Sequence, residues 1–312
     1  MMSRERFERR EVPLEQTIKS KTCAIVVTHN RLELLKQCIA ALYQQTLPCE
    51  ILVIDNASTD ETDRWLAEQK TLHDCMHFYR LLENLGGAGG FHTGMDLAMK
   101  AGYEWLWIMD DDSIPNENAL ERLMDADHEL AGAYGWLSSR ALWKDGTLCR
   151  MNIQRSTPYR DIKNFEAHLI PSAMASFVSL FLRRETVCSY GLPLKEFFIW
   201  TDDWEYTRRI SRHLPCYVCS ESTVVHAMQR NTVVDITTDS EERLPRYRYA
   251  YRNDVYLYRR EGIRGWAWLL AKDGYHTARL LFSGQPKRIA IVWKGFFQGI
   301  CFHIKPEEGE QC

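Results

Sequence analysis

Three carboxylates in a row stand directly behind an apolar run: Trp105-Leu106-Trp107-Ile108-Met109 leads without a break into Asp110-Asp111-Asp112, then Ser113, Ile114 and Pro115. A short unbroken apolar segment bounded by a turn predicts a strand buried on both faces. The Asp residues then lie just past its carboxyl end, where open α/β sheets bind their ligands. Carboxylates this close repel one another, so folding them together asks for a compensating cation. A hard divalent ion, Mg2+ or Mn2+, held partly by substrate phosphates, supplies that charge. The plainer alternative is a solvated acidic turn.

The 312 residues suffice for one large α/β domain, or for one domain with a sizeable appendage. Hydrophobic content of 45% and charged content of 26% are those of an ordinary folded chain, and a net charge of −3 argues against nucleic acid as the main partner. The ten cysteines are scattered; Cys216 and Cys219 come closest to a metal-finger spacing and lack a partner pair. With no apolar leader ahead of them, they predict reduced thiols in the cytosol. Nothing reaches the roughly 18 uninterrupted apolar residues of a membrane span. The longest apolar-leaning stretch, 289–304, is broken by Lys294, Gln298 and glycines.

In chain order, residues 1–21 carry a charged run from Arg4 to Glu11 and predict an arm outside the core. A β-branched run predicts a strand over 23–28, ending in Thr28-His29-Asn30-Arg31. A helix with Leu32, Leu35, Ile39 and Leu42 on one face follows, then a strand over 50–54 that ends at Asp55-Asn56-Ala57-Ser58. Ser58 and Glu61 have the spacing of a capping box for the next helix. A weaker strand over 77–82 leads to Asn84-Leu85-Gly86-Gly87-Ala88-Gly89-Gly90, and a helix over 91–101 feeds the strand of the Asp triplet. Strands alternating with helices predict a doubly wound, mainly parallel sheet whose functional-looking clusters all converge on one edge. The glycine cluster lets backbone approach a ligand and leaves amides free ahead of a helix, an anion site, although a ligand-free turn has the same composition. It fits neither the P-loop nor the dinucleotide fingerprint.

Further along, a helix is expected over 119–130, a strand over 134–138, a loop over the active edge at 140–170, and a core strand over 172–182. Asp202 and Asp203, in Trp200-Thr201-Asp202-Asp203-Trp204-Glu205, sit where a helix would start, either as dipole-favoured capping carboxylates or as chemistry. His226 closes a short β-branched run, as a structural histidine or as a ligand. From Pro245 the chain interleaves Arg246, Arg248, Arg252, Arg259, Arg260 and Arg264 with Tyr247, Tyr249, Tyr251, Tyr256, Tyr258, Trp266 and Trp268. Such a mixture suits an amphipathic surface lying on an anionic membrane, or a packing helix with a basic outer face.

Taken together, Val26-Val27-Thr28-His29-Asn30-Arg31, Val53-Ile54-Asp55-Asn56-Ala57-Ser58, Asn84 to Phe91, the Asp triplet, Trp200-x-Asp202-Asp203-x-Glu205 and His226 resemble a family 2 glycosyltransferase of the GT-A fold, over about residues 22–230. The glycine loop, triple Asp and Trp-x-Asp-Asp-x-Glu segment resemble in particular bacterial galactofuranosyltransferases, whose donor is UDP-galactofuranose, and some related rhamnosyltransferases that use dTDP-rhamnose.

That resemblance implies an α/β GT-A catalytic domain over 22–244 and a helical, membrane-proximal segment over 245–312. It implies that Thr28 and Asp55 hold uracil and ribose, with Arg31, Asn84, Gly86, Gly87 and Asp111 on the nucleotide-sugar side. Asp110, Asp112 and His226 would bind Mn2+ or Mg2+, Asp203 would be the general base, and Trp200 and Asp202 would contact sugar or acceptor. The implied partners are a nucleotide-sugar donor, a glycan or lipid-linked glycan acceptor and a second copy of the chain. The implied place is the inner face of a bacterial membrane, without a span. A glycan-binding relative without turnover is the non-enzymatic alternative.

Overall fold

The computed structural model describes residues 20–304. Most of the expected arm over 1–21, including the run from Arg4 to Glu11, lies outside the described residues, as do residues 305–312.

The apolar runs become strands covered on both sides. In β1 (Thr22–Thr28), Cys23, Ile25 and Val27 pack into one core layer while Ala24 and Val26 pack into the opposite one. After α1 (Leu32–Tyr43) come β2 (Glu50–Asp55), α2 (Thr62–Leu72), β3 (Met76–Arg80), α3 (Gly86–Ala101) and β4 (Trp105–Asp110). β4 repeats the alternation, with Leu106 and Ile108 on the α3 side and Trp107 and Met109 on the α1 side. Fully burying an aromatic as large as Trp107 contributes about 4–6 kcal/mol of hydrophobic free energy, and its indole N–H donates to Ser179 Oγ at 2.8 Å.

β3, β2, β1 and β4 pair in parallel in that order. Next come β5 (Ser113–Pro115), α4 (Ala119–Glu129), β6 (Leu137–Leu142), a hairpin of β7 (Arg155–Thr157) and β8 (Arg160–Asp161), β9 (Leu169–Pro171) and β10 (Leu180–Arg183). α5 (Arg184–Tyr190), α6 (Asp202–Ser211) and β11 (Tyr217–His226) complete the sheet, which continues from β4 through β10, β6 and β11 to β5. β10 is antiparallel to β4 and to β6, and β11 is parallel to β6 but antiparallel to β5 and β9. The sheet is doubly wound and mainly parallel in its first half and mixed in its second.

Several local expectations change. The strand expected over 134–138 runs Leu137–Leu142, and the one expected over 172–182 shrinks to Leu180–Arg183, its earlier residues being mostly buried with a single bridge from Met174 to Arg155. The loop at 140–170 folds in part as strands. The Ser58–Glu61 capping box does not form. Ser58 Oγ accepts from the Asn30 amide at 3.0 Å instead, and Asp60 Oδ1 takes the Thr62 amide that opens α2. Eight cysteines among the described residues are free thiols, whereas Cys188 is disulfide-bonded, against the expectation of reduced thiols throughout.

The C-terminal helices are α7 (Leu244–Tyr258), α8 (Gly262–Phe282) and α9 (Pro286–Cys301). On α7 the basic–aromatic pattern is packing: Tyr247, Tyr251, Tyr256 and Tyr258 are buried. Arg252 donates to Glu196 O at 2.6 Å, and Arg260, just past the helix, lies 3.6 Å over the Tyr256 ring. α9 crosses α7 closely because Gly299 presents no side chain, and a Cβ there would stand 2.6 Å from Arg252 O.

Candidate active site

β1, β2 and β4 end together, and their registers place Thr28 beside Asp55 and Val27 beside Asp110. β5 turns the chain so that Ser113 pairs with His226 of β11, and the Ala227 amide donates to Asp112 O at 2.8 Å. Residues 116 positions apart in sequence thereby meet through ordinary sheet pairing. One ligand atom each of Asp110, Asp112 and His226 lie within 4.8 Å of one another.

The triplet divides its duties. Asp111 is buried, accepts Thr28 Oγ1–H at 2.8 Å and Arg31 Nη1–H at 3.1 Å. Asp112 shares its oxygens between Arg31 Nη1 at 2.7 Å and His226 Nε2 at 3.0 Å. Asp110 makes no side-chain hydrogen bond among the described residues. Burial and the Asp112 charge push the Asp110 carboxyl up to about 7, and burial takes Asp111 up to about 6. For Asp112 burial acts the same way but is outweighed by the His226 hydrogen bond and by the charges of His226 and Arg31, which hold it at about 2.

These residues fit a divalent cation. His226 Nδ1 donates to Asn152 Oδ1 at 2.7 Å, so a neutral ring would aim the Nε2 lone pair at the Asp112 carboxylate. Two lone pairs facing each other at this distance need a proton or a metal between them. With no metal the ring keeps the proton: burial lowers its affinity, but the Asp112 hydrogen bond prevails and raises it to about 10. Even then Arg31 and His226 offer two positive charges to three carboxylates, and Asp110 is left to be neutralised. Asn152 and Cys149, whose Sγ lies 3.6 Å from the same Nδ1, orient the ring as outer residues orient metal-bound histidines.

Asp203 arrives from the other half of the chain. It is the second residue of α6, its Oδ1 accepts the Trp204 amide at 2.7 Å, and its carboxyl is raised well above the usual carboxylate range. Burial is the main cause, followed by the charges of Asp202 and Asp110, so Asp203 lies within electrostatic reach of the triplet. Asp202 is buried and pushed up to about 7, by burial first and then by Glu205. Trp200 stands edge-on to Tyr247 with ring centroids 5.0 Å apart, and the Arg243 guanidinium lies 5.8 Å over its ring.

On the opposite flank Asp55 is wholly buried; Oδ1 accepts the Ser58 amide at 2.9 Å, and Oδ2 has no hydrogen bond, the Arg80 guanidinium standing 3.6 Å away. Asn56 ties in the glycine turn, accepting from the Leu85 amide and donating to Gly86 O, both at 2.8 Å. That turn differs from the free-amide loop expected. Its glycines form the first turns of α3, Asn84 Oδ1 takes the Gly86 amide at 2.8 Å, and Phe198 O takes the Ala88 amide at 3.2 Å. Gly86 has φ +71° and a Cβ there would meet Phe198 O, whereas a Cβ at Gly87 would meet nothing within 4 Å.

Thr28, Arg31, Asp111, Asp112 and His226 are thus linked by hydrogen bonds, Asp110 lies close to Asp112 and His226, Asp203 joins them electrostatically, and Asp55, Asn84 and Gly86 adjoin through Asn56. Sequence reasoning missed Asn152, Cys149 and Arg155, whose guanidinium lies 4.0 Å over Trp204 beside Asp203. All three fall within 140–170, where no periodicity marks a position.

Comparison with known proteins accords with this geometry. The chain is 27% identical over 279 residues to galactofuranosyltransferase GlfT1 of Mycolicibacterium smegmatis, covering 80% of this chain and 90% of that one. GlfT1 of Mycobacterium tuberculosis is 28% identical over 211 residues, 65% of this chain and 69% of that one. The fold is similar to that of GalNAc-T7, solved with UDP, GalNAc and Mn2+, at a TM-score of 0.54 and 16% identity over 73% of this chain and 48% of that one. It is similar also to S. aureus TarS, at 0.50 and 16% over 75% and 39%. This chain therefore spans about half or less of those two solved chains, and the likeness gives the GT-A fold. The model of the family described as glycosyl transferase family 2 matches residues 23–178, half of the sequence, and the chain belongs to that family.

Proposed function

We propose that this enzyme moves galactofuranose from UDP-galactofuranose to a lipid-linked glycan acceptor, with inversion, at the inner face of a bacterial membrane. The observation that carries the chemistry is the convergence of Asp110, Asp112 and His226, one ligand atom of each within 4.8 Å of the others, with Asp203 near enough for the Asp110 charge to help raise its carboxyl. The likeness to GlfT1 over 90% of that protein's length supports the choice of sugar.

Asp110, Asp112 and His226 would hold Mn2+ or Mg2+, which when bound would neutralise charge developing on the departing diphosphate. Asp55 offers Oδ2, which accepts no hydrogen bond, to an N–H of the base, Thr28 and Asp111 border the ribose, and Arg31 and the backbone at Asn84, Gly86 and Gly87 line the nucleotide side. Asp203 accepts the proton of the acceptor hydroxyl, a poor nucleophile until it loses that proton to a carboxylate in hydrogen-bond reach. Burial and the neighbouring Asp202 charge raise its affinity for protons, which makes it a stronger base once ionised. Trp200 and Asp202 steady the acceptor. One base suffices for direct displacement, because a diphosphate leaves without a general acid. In this reading residues 22–244 carry the groups that contact donor, cation and acceptor.

The membrane contact belongs to α8 and α9. Ile263, Leu270, Leu281 and Phe282 on α8 and Phe297 on α9 are all more than half exposed, and Arg264, Lys287 and Lys294 are exposed beside them. No helix among the described residues is long and apolar enough to cross a membrane.

Incubation with UDP-galactofuranose, Mn2+ and a synthetic lipid-linked acceptor should give a galactofuranosylated product and UDP. Transfer from dTDP-rhamnose alone would move the proposal to the rhamnosyl donor, and binding without turnover would leave a glycan-binding relative.

A further inference from the structure

The segment that delivers Asp202 and Asp203 to the cleft has a backbone its own residues disfavour. Phe198, at φ 65° and ψ −60°, occupies the γ-turn of positive φ, the rarer and more strained form, closed by the Ile199 amide donating to Phe197 O at 2.7 Å. Trp200 and Thr201 follow at φ 63° and 67°. None of the three is glycine, and such conformations persist only where the surroundings over-determine them. Thr201 precedes α6 at the position where a threonine oxygen ordinarily caps the helix, yet it makes no side-chain cap. Its hydroxyl donates instead to Asp254 Oδ1 at 2.8 Å.

What over-determines the segment is α7, backed by α8. Asn253 is fully buried, and its Nδ2 donates to three carbonyls of the segment, Phe197 at 3.0 Å, Ile199 at 3.2 Å and Trp200 at 2.9 Å. Its Oδ1 is fixed by Arg252 Nε at 2.9 Å. Asp254, which receives Thr201, accepts Lys272 Nζ at 2.8 Å, and Lys272 is 2.9 Å from the wholly buried Asp273. From the other side the Ala88 amide of α3 holds Phe198 O. Apart from the Glu205 amide, which donates to Thr201 O at 2.8 Å as α6 begins, and the turn's own Ile199–Phe197 bond, these constraints come from α7, α8 and α3.

We propose that Asn253 and the Thr201–Asp254–Lys272 chain are positioning residues, holding the turn 198–201 in its strained form so that Asp203 faces the acidic end of β4. The inference rests on Asp203 as the general base. It makes the C-terminal helices part of the catalytic apparatus, because the groups that aim the base lie on α7 and α8.

The test uses the full-length chain. Thr201→Val keeps the side-chain shape and removes the hydroxyl, Lys272→Met keeps the stem and removes the charge, and Thr201→Ser restores a hydroxyl. Arg279→Met, which breaks an ion pair to Asp235 elsewhere on α8, is the control. Amide exchange over residues 197–206 should quicken about ten-fold in the first two and stay at the parental rate in the Ser variant and the control. Transfer kcat should fall roughly ten- to hundred-fold in the same two, as for a displaced catalytic group, while the donor KM changes by less than about two-fold. Unchanged exchange in 197–206 would overturn the proposal, as would a donor KM that rises in step with the loss of kcat. A parent enzyme inert toward UDP-galactofuranose would remove the functional reading, and the exchange measurement would still decide the clamp.

Discussion

Asp203 and Asp202 are neighbours whose burial makes each costly to ionise, and each charge raises the other's cost. A base must be ionised to take a proton, so kcat falls as pH drops through the raised Asp203 value, and the acid limb of the profile lies above the ordinary carboxylate range. Asp202→Asn removes a charge that raises Asp203, so the acid limb should move to lower pH; a limb that stays put or moves up contradicts the pairing. Asp203→Asn should abolish transfer, by at least about 10²-fold, with UDP affinity by calorimetry unchanged, and full turnover would remove it from the base role. Asp112→Ala strips a partner from both Arg31 and His226 and should weaken UDP binding only when Mn2+ is present. An equal loss in chelator would separate Asp112 from the cation. At this scale the sequence was readable where chemistry forces an unusual composition: three adjacent carboxylates, or a carboxylate pair after an aromatic run. Asn152 and Asn253 escaped because a buried asparagine announces nothing. Their partners, His226 and the carbonyls of 197–200, lie more than 50 positions away.

The first turn of α3 and the polar interior of the C-terminal helices show how an element can be legible in type and misread in purpose. Four glycines in five positions invite a phosphate, but two of the amides already serve Asn84 and Phe198. Gly86→Ala should destabilise by roughly 2–4 kcal/mol, combining left-handed strain with overpacking against Phe198 O, and lower Tm by about 4–8 °C. Gly87→Ala, with open space around its Cβ, should leave Tm unchanged, and any fall in UDP affinity there would assign the backbone at Gly87 to the donor. In α8 the Tyr251 hydroxyl donates to His276 Nδ1 at 2.7 Å, and burial, then Lys272, pushes that ring down to about 4. A histidine depressed in the folded state stabilises fully above its unfolded value near 6.5 and loses this as pH falls through about 4. With screening of a part-exposed ring this amounts to about 2 kcal/mol, or about 4 °C of Tm between pH 7 and pH 4, and His276→Gln should flatten that part of the curve. Element types followed from periodicity, since β1 and β4 alternate between two core layers and so read as unbroken apolar runs. The short strands after residue 137 did not, because their pairing is set by partners distant in sequence.

At the scale of the whole molecule, the basic–aromatic pattern from residue 245 onward suits either a membrane surface or a packing helix, and on α7 it is packing. Tyr247, Tyr251, Tyr256 and Tyr258 of α7 are core, Arg252 is committed to the Glu196 and Phe197 carbonyls, and the helix carries the Asn253 that grips the turn before α6. Deleting residues 245–312 would therefore disable the catalytic apparatus as well as any membrane contact and would separate nothing. Ile263, Ala267, Leu270, Gly274 and Leu281 recur at helical spacing along one exposed side of α8, so the helix can lie in a bilayer interface along its length. Placed there, an exposed leucine contributes about 1.5 kcal/mol, and each basic residue near an anionic surface about 1 kcal/mol. Leu270→Glu with Leu281→Glu, both at solvent-exposed positions, should leave Tm and UDP binding intact and cut sedimentation with anionic phospholipid vesicles by on the order of 10²-fold. Raising salt to 0.5 M should weaken the parent's binding without abolishing it, because screening reaches the lysines and arginines and not the apolar stripe. Vesicle binding that survives the double substitution would count against this face. So would a parent that pairs in solution and loses only the pairing, which would give α8 to a second copy of the chain.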